Sequence, residues 1–184
     1  APPLSFLSVR GAKDVGVEVH SLSKGFNMIG WRLGWVCGHP RIVQAFADVK
    51  DNVDSGQFIA IQKAAIVALE HSDIVESTRE KYRRRLEKLT TTLRQAGFQA
   101  EMPGGTYFLY VPAPMGAKNG VQFATAEEAA RFLIAEHSIV TVPWDDAGAY
   151  LRFSVTYQAD DEAAEDALME RTQERLAAAR LRFE

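Results

Sequence analysis

Between Ser72 and Gly97 the sequence SDIVESTREKYRRRLEKLTTTLRQAG carries a single unbroken helical pattern. Tyr82, Leu86, Leu89, Leu93 and Ala96 recur at spacings of four and three, which places them on one stripe of a long amphipathic helix. Ser72 can accept a hydrogen bond from an early backbone N–H, and Gly97 suits the left-handed position just past the last turn. Helices this long often bridge two domains. The pattern therefore predicts a boundary inside it, with residues 1–75 before, residues 76–184 after, and the helix at about 72–96 joining them.

The flanks read as mixed structure. Val15, Val17 and Val19 alternate, which predicts a strand ending near His20 at a buried strand end. GWRLGWVCG reads as a second short strand, and RIVQAFADVK puts Ile42, Val43, Phe46 and Val49 on one helical face. DNVDSG breaks the chain before a largely apolar helix, QFIAIQKAAIVALE. Beyond Gly97, TYFLYVPAP, SIVTVP and YLRFSVTY read as strands. In the last of these, Leu151, Phe153 and Val155 face away from Arg152, Ser154 and Thr156. Thr125 and Glu128 form a capping box for a helix through about His137, and a helix rich in Ala, Glu and Arg ends the chain. After the long helix the alternation of strands and helices is the pattern of an α/β or α+β domain.

The chain has 184 residues and a formal net charge of -3, which gives no reason to expect a nucleic-acid partner. Cys37 is the single cysteine, so no intrachain disulfide forms, and a reducing, cytoplasmic setting is expected. No stretch reaches the apolar length of a membrane span, and no basic-then-apolar leader pattern is present. The sequence opens as a loop entering a strand, without Met, and reads as a fragment of a larger fold.

The chemistry concentrates in VHSLSKGFNMIGWRLG, residues 19–34. Lys24 follows a valine-rich strand, where desolvation or a nearby cation favours the neutral amine. A neutral lysine amine is what a Schiff base with an aldehyde cofactor requires. Arg32, Ser21 and Ser23 supply a fixed fork and hydroxyls, the donors a phosphate needs. Together they suggest pyridoxal phosphate, although the spacing by itself does not establish it.

Ser21-Leu22-Ser23-Lys24, then Asn27-Met28, then Gly30-Trp31-Arg32-Leu33-Gly34 resembles the lysine motif of class I/II aminotransferases, which are fold-type I enzymes dependent on pyridoxal phosphate. DNVDSGQF, MPGGTYFLYVPAP and YLRFSV follow in that family's order, so the resemblance covers essentially the whole chain. It implies the end of the cofactor-binding large domain followed by the small C-terminal α/β domain. It implies that Lys24 forms the Schiff base and moves the proton at the substrate α-carbon, and that Ser21, Arg32 and, in support, Ser23 bind the cofactor phosphate. Arg152 would bind the substrate α-carboxylate, and Tyr107 matches a position near the substrate. Within the family the motif is similar to that of LL-diaminopimelate aminotransferases and of aspartate- or alanine-type relatives. The resemblance also implies amino-acid and 2-oxoacid substrates and a homodimer. Several family elements have no counterpart here: the aspartate for the pyridine nitrogen, the stacking aromatic, the tyrosine near the phenolic oxygen and the glycine-containing phosphate loop. That remainder is expected on the same or another chain.

Two other readings compete with this one. Ser21-x-x-Lys24 also matches the S-x-x-K of penicillin-recognising acyl enzymes, but no S-D-N or K-T-G accompanies it. A non-catalytic C-terminal dimerisation or interaction fragment is the other. Lys81, Arg83, Arg84 and Arg85 are expected on a solvated helix face, and Trp31 and Trp35 in the core. The four histidines and Cys37 show no metal-ligand spacing, so no metal site is expected.

Overall fold

The computed structural model describes residues 4–118 and 120–183. The chain divides into two compact units, one up to Arg79 and one from Glu80 onward. Among the described residues every strand pairing between named strands is antiparallel, and helices and strands are interspersed in a mixed α/β arrangement. No described helix is long and apolar enough to cross a membrane.

The first unit is built on a hairpin of β1 (Val17–Ser21) and β2 (Gly34–Gly38), in register from Val17 opposite Gly38 to Ser21 opposite Gly34. Two glycines close it. A Cβ on Gly34 would lie 2.5 Å from the His20 carbonyl oxygen, and Gly38 sits at φ 137 against the Gly16 carbonyl. Helices α1 (Pro40–Asp51) and α2 (Ile59–Glu70) follow. Proline at the first turn of α1 loses no hydrogen bond, and His39 Nδ1 accepts from the Arg41 N–H at 3.2 Å. The apolar face expected on α1 is present but open. Ile42, Phe46 and Val49 are exposed and, with Val17, Val19 and Trp35, line an apolar groove of about 770 Å³. Trp31 and Trp35, expected in the core, are likewise exposed, Trp35 along the same open groove and Trp31 on the loop that joins the two strands.

Helix α3 (Ser72–Gln95) begins at Ser72 itself and runs from the first unit into the second. Its end matches expectation in detail. Gly97 takes φ 93, its N–H donates to the Arg94 carbonyl, and the Phe98 N–H reaches back to Leu93 at 3.0 Å. This paired pattern satisfies carbonyls that the helix leaves unbonded.

The second unit packs α3 against β3 (Phe108–Pro112), β6 (Tyr150–Ser154) and β5 (Val142–Trp144), in sheet order β3-β6-β5, together with α4 (Ala126–His137) and α5 (Glu162–Ala179). A short ribbon of β4 (Gly116–Ala117) and β7 (Leu181–Arg182) ties down the chain end. Leu86, Leu89 and Leu93 of the helical stripe meet Leu109, Val111, Leu151 and Phe153 from the inner sheet face and Leu133 from α4 in one buried core. Thr125 caps α4 through its Oγ1 at 3.2 Å from the Glu128 N–H, and Glu128 returns to the Ala124 N–H at 2.6 Å.

Arg85 departs from the solvated face expected of its basic run. It is only 2 % exposed and donates to Glu165 at 2.6 Å, to the Val155 carbonyl at 3.2 Å and to the Tyr157 carbonyl at 2.7 Å. Arg84 and Lys88 also approach Glu165, which is itself 2 % exposed. Burial pushes the Glu165 carboxyl up, but hydrogen bonds and charge from Arg84 and Arg85 outweigh it and hold the pKa down at about 2. Arg85 lies three residues after Tyr82 and four before Leu89, so its place on the buried stripe could have been read from spacing.

Candidate functional site

The loop joining β1 to β2 carries Leu22 through Leu33 and folds back on itself. The Leu22 N–H donates to the Leu33 carbonyl at 3.3 Å, and the Met28 N–H returns to the Leu22 carbonyl at 3.3 Å. Leu22 is fully buried and pins the turn, while Ser23 beside it is buried too. The Ser21 hydroxyl oxygen accepts from the Ser23 N–H at 3.0 Å, which leaves its O–H hydrogen for another acceptor. Lys24 follows on the exposed side of the turn rather than at the buried strand end expected from the valines. The reason lies in those valines: Val15 and Val19 are themselves exposed, Val19 at 82 %.

Two residues of the loop take left-handed backbone, Asn27 at φ 55 and Arg32 at φ 53. Asparagine tolerates that region; arginine there is uncommon and costs about 1 kcal/mol or more. The strained backbone turns Arg32 so that its Nη1 donates to the Ile29 carbonyl at 3.0 Å, beside a single helical turn over Ile29–Trp31. The donor set on this loop is thus an amine, a hydroxyl with a hydrogen to give, and a guanidinium. It fits an aldehyde-bearing phosphate dianion: the amine for the carbonyl, the other two for the phosphate.

In the second unit the outer face of the three-stranded sheet carries Arg152. It lies opposite Tyr110 on one side and Val142 on the other. Its guanidinium carbon stands 4.4 Å from the centre of the Phe108 ring, and its Nε is buried without a hydrogen-bond partner. Among the described residues no carboxylate pairs with it. The Ser154 and Thr156 hydroxyls on the same strand face bond to each other at 2.8 Å. Tyr107 is buried in the core, its ring against Tyr82 and Phe108. Each expected residue is thus placed within its own unit: Ser21 at the end of β1, Ser23, Lys24 and Arg32 on the loop after it, Arg152 and Tyr107 on or beside the sheet.

Sequence reasoning did not single out Phe108, although its strand position beside the Arg152 partner strand was readable. Nor did spacing reveal that Glu18, His20 and Cys37 bring their ligand atoms within 4.8 Å of one another, since hairpin register sets Cys37 opposite Glu18. Glu18 there already accepts from Ser5 at 2.7 Å, from the Leu7 N–H at 3.2 Å and pairs with His20 at 2.9 Å. Ser5 comes first among the causes that hold the Glu18 carboxyl below its usual range.

Residues 5–169 match the family described as aminotransferase class I and II. The LL-diaminopimelate aminotransferase of Methanococcus maripaludis is 54 % identical over 187 residues, covering 99 % of this chain and 45 % of that protein. The enzyme of the same name from Methanocaldococcus jannaschii is 53 % identical, with the same coverage. Among solved structures, BacF from Bacillus subtilis superposes with a TM-score of 0.81 at 29 % identity, over 99 % of this chain and 47 % of that one. An aminotransferase from Staphylococcus aureus gives 0.78 at 28 %, over 95 % and 45 %. The chain spans about half the length of the curated relatives it matches. Its fold is that of fold-type I aminotransferases, and on this match along nearly its whole length the chain belongs to the class I and II aminotransferase family, whose members depend on pyridoxal phosphate.

Proposed function

We propose that this chain is the lysine-bearing and carboxylate-binding part of an aminotransferase that moves an amino group between an amino acid and a 2-oxoacid. LL-diaminopimelate with 2-oxoglutarate is the favoured pair, since relatives more than half identical carry that enzyme's name. The observation that carries the reading is the closed Leu22–Leu33 loop, which carries Lys24 and Arg32 and begins directly after Ser21.

When bound, pyridoxal phosphate supplies an aldehyde that captures amines and a ring that withdraws electrons from the substrate's α-carbon. This chain's own residues hold the phosphate, move the proton and bind the carboxylate. Ser21 and Arg32 hold the phosphate, one by a hydroxyl donor and one by a charged fork, with Ser23 supporting the turn. Lys24 Nζ would carry the proton from the substrate α-carbon to the cofactor's C4′ carbon in one half-reaction and in the opposite direction in the other. Arg152 grips the α-carboxylate, and Tyr107 takes the position near the substrate that the resemblance implies. Residues 1–75 end the cofactor domain in this reading and 76–184 form the small domain. The missing family elements belong to the additional length that the relatives carry, and we assign that length to cover the open groove beside α1. A homodimer is the expected assembly. The single Cys37 suits a reducing compartment, and we place the protein in the cytoplasm.

Borohydride reduction of the full-length protein after incubation with pyridoxal phosphate tests the assignment. Peptide mass mapping should find one reduced pyridoxyl adduct, on Lys24, and none after Lys24→Ala. An adduct confined to another lysine would remove Lys24 from the mechanism.

A further inference from the structure

The outer face of the β3-β6-β5 sheet has an unusual composition. Phe108, Tyr110 and Pro112 of β3 share it with Tyr150, Arg152 and Ser154 of β6 and with Val142 and Trp144 of β5. Among the described residues Arg152 is the single charge on it, at its middle strand. Phe108 pairs with Ser154, two residues along from Arg152, so it meets the guanidinium diagonally across the strands. The ring covers one face of the guanidinium at 4.4 Å. Nε is the buried nitrogen that lacks an acceptor, which leaves Nη1 and Nη2 as the end that a carboxylate can meet.

The approach to Phe108 is itself strained. Thr106 takes φ 104, a region that β-branched residues rarely enter, directly after Gly104-Gly105. Its Oγ1 accepts from the Phe108 N–H at 3.2 Å, so the strained residue fixes the backbone that aims the ring.

We propose that Phe108 is a positioning residue for substrate recognition: its ring carries the Arg152 guanidinium and closes off Nε, so that the substrate carboxylate is taken end-on by the two terminal nitrogens. This rests on the proposed role of Arg152. A guanidinium held against a ring loses less freedom when it binds, and the planar fork is offered already oriented. Lysine at this place would lose both the stack and the fork.

The test uses full-length holoenzyme and follows the cofactor absorbance through the two half-reactions, with L-glutamate and with 2-oxoglutarate. Phe108→Leu, which keeps apolar bulk but removes the ring face, should raise the half-saturation concentration for both probes about fivefold to twentyfold. The limiting rate should change less than twofold, and pyridoxal phosphate loading should not change. Phe108→Tyr, which keeps the face, should restore affinity. In an Arg152→Lys background, Phe108→Leu should add little. Unchanged half-saturation in Phe108→Leu, while Arg152→Ala raises it, overturns the positioning role and leaves the carboxylate role standing. Lost loading or lost rate with unaltered half-saturation makes Phe108 merely structural and also overturns it. No response to Arg152→Ala, or no half-reaction in the unaltered enzyme, removes the reading on which the proposal rests and the proposal with it.

Discussion

From Glu80 onward the chain closes its own core, with Leu93, Leu133 and Leu151 fully buried, whereas up to Arg79 it leaves Val19, Phe46, Phe58 and Val67 facing outward. Both stretches show the same kind of apolar periodicity. The stripe on α3 and the face on α1 could be exchanged on pattern alone. Periodicity reports that a face is suited to burial; what buries it lies elsewhere in the chain or beyond it. In the second unit the covering layer is the inner sheet face and α4, both within the same stretch of sequence. In the first, the relatives' additional length is the proposed cover.

The sharpest way to break this contrast is to remove a buried charge from the self-sufficient unit. Glu165→Ala leaves Arg85 desolvated with no carboxylate, which should cost roughly 3–5 kcal/mol. Denaturation of the chain by urea, followed by far-UV circular dichroism, reads the change. A loss below about 1 kcal/mol would mean that Arg85 is solvated and that this unit is open to water at the pair.

A milder version uses acid. Glu165 is held at about 2 against an ordinary 4.5, so its stabilisation is complete above about pH 4.5 and is lost as pH falls from there through about 2. At about 1.4 kcal/mol per tenfold change in proton affinity, roughly 3 kcal/mol is at stake. The stability of the unaltered chain should therefore drop more steeply over that window than that of Glu165→Gln, which cannot titrate there. Parallel acid profiles would show that the pair contributes nothing to folding.

Legibility followed the same divide. The long helix, its Gly97 end, the Thr125 cap and the inward face of β6 were all readable, because each is set by residues a few positions apart. Arg85 was misread as solvated even though it sits on the apolar stripe, because its partner is 80 residues away. The lysine loop was legible as a motif, since its donors lie within twelve residues of sequence, Ser21 to Arg32, but the exposure of Lys24 was not. That depends on what covers Val15 and Val19. The stack of Phe108 on Arg152 needed the strand register, which places residues 44 apart side by side.

The smallest expected effect is the most informative about the open unit. Phe46 is 53 % exposed on α1, so Phe46→Ala in this chain alone removes little buried surface and should shift stability by no more than about 0.5 kcal/mol. In the full-length protein the same substitution should cost about 3–5 kcal/mol, the usual loss for a phenylalanine taken from a packed core, if the relatives' additional length covers the groove. Paired denaturation curves for the two backgrounds therefore measure the covering directly. A large loss in this chain alone would mean that the ring is buried in solution and that the contrast between the units is false. A negligible loss in both would make the α1 face a solvent face, and the groove would no longer argue for a covering half. Only the unequal pair of results supports a unit whose fold is completed from outside the stretch that encodes it.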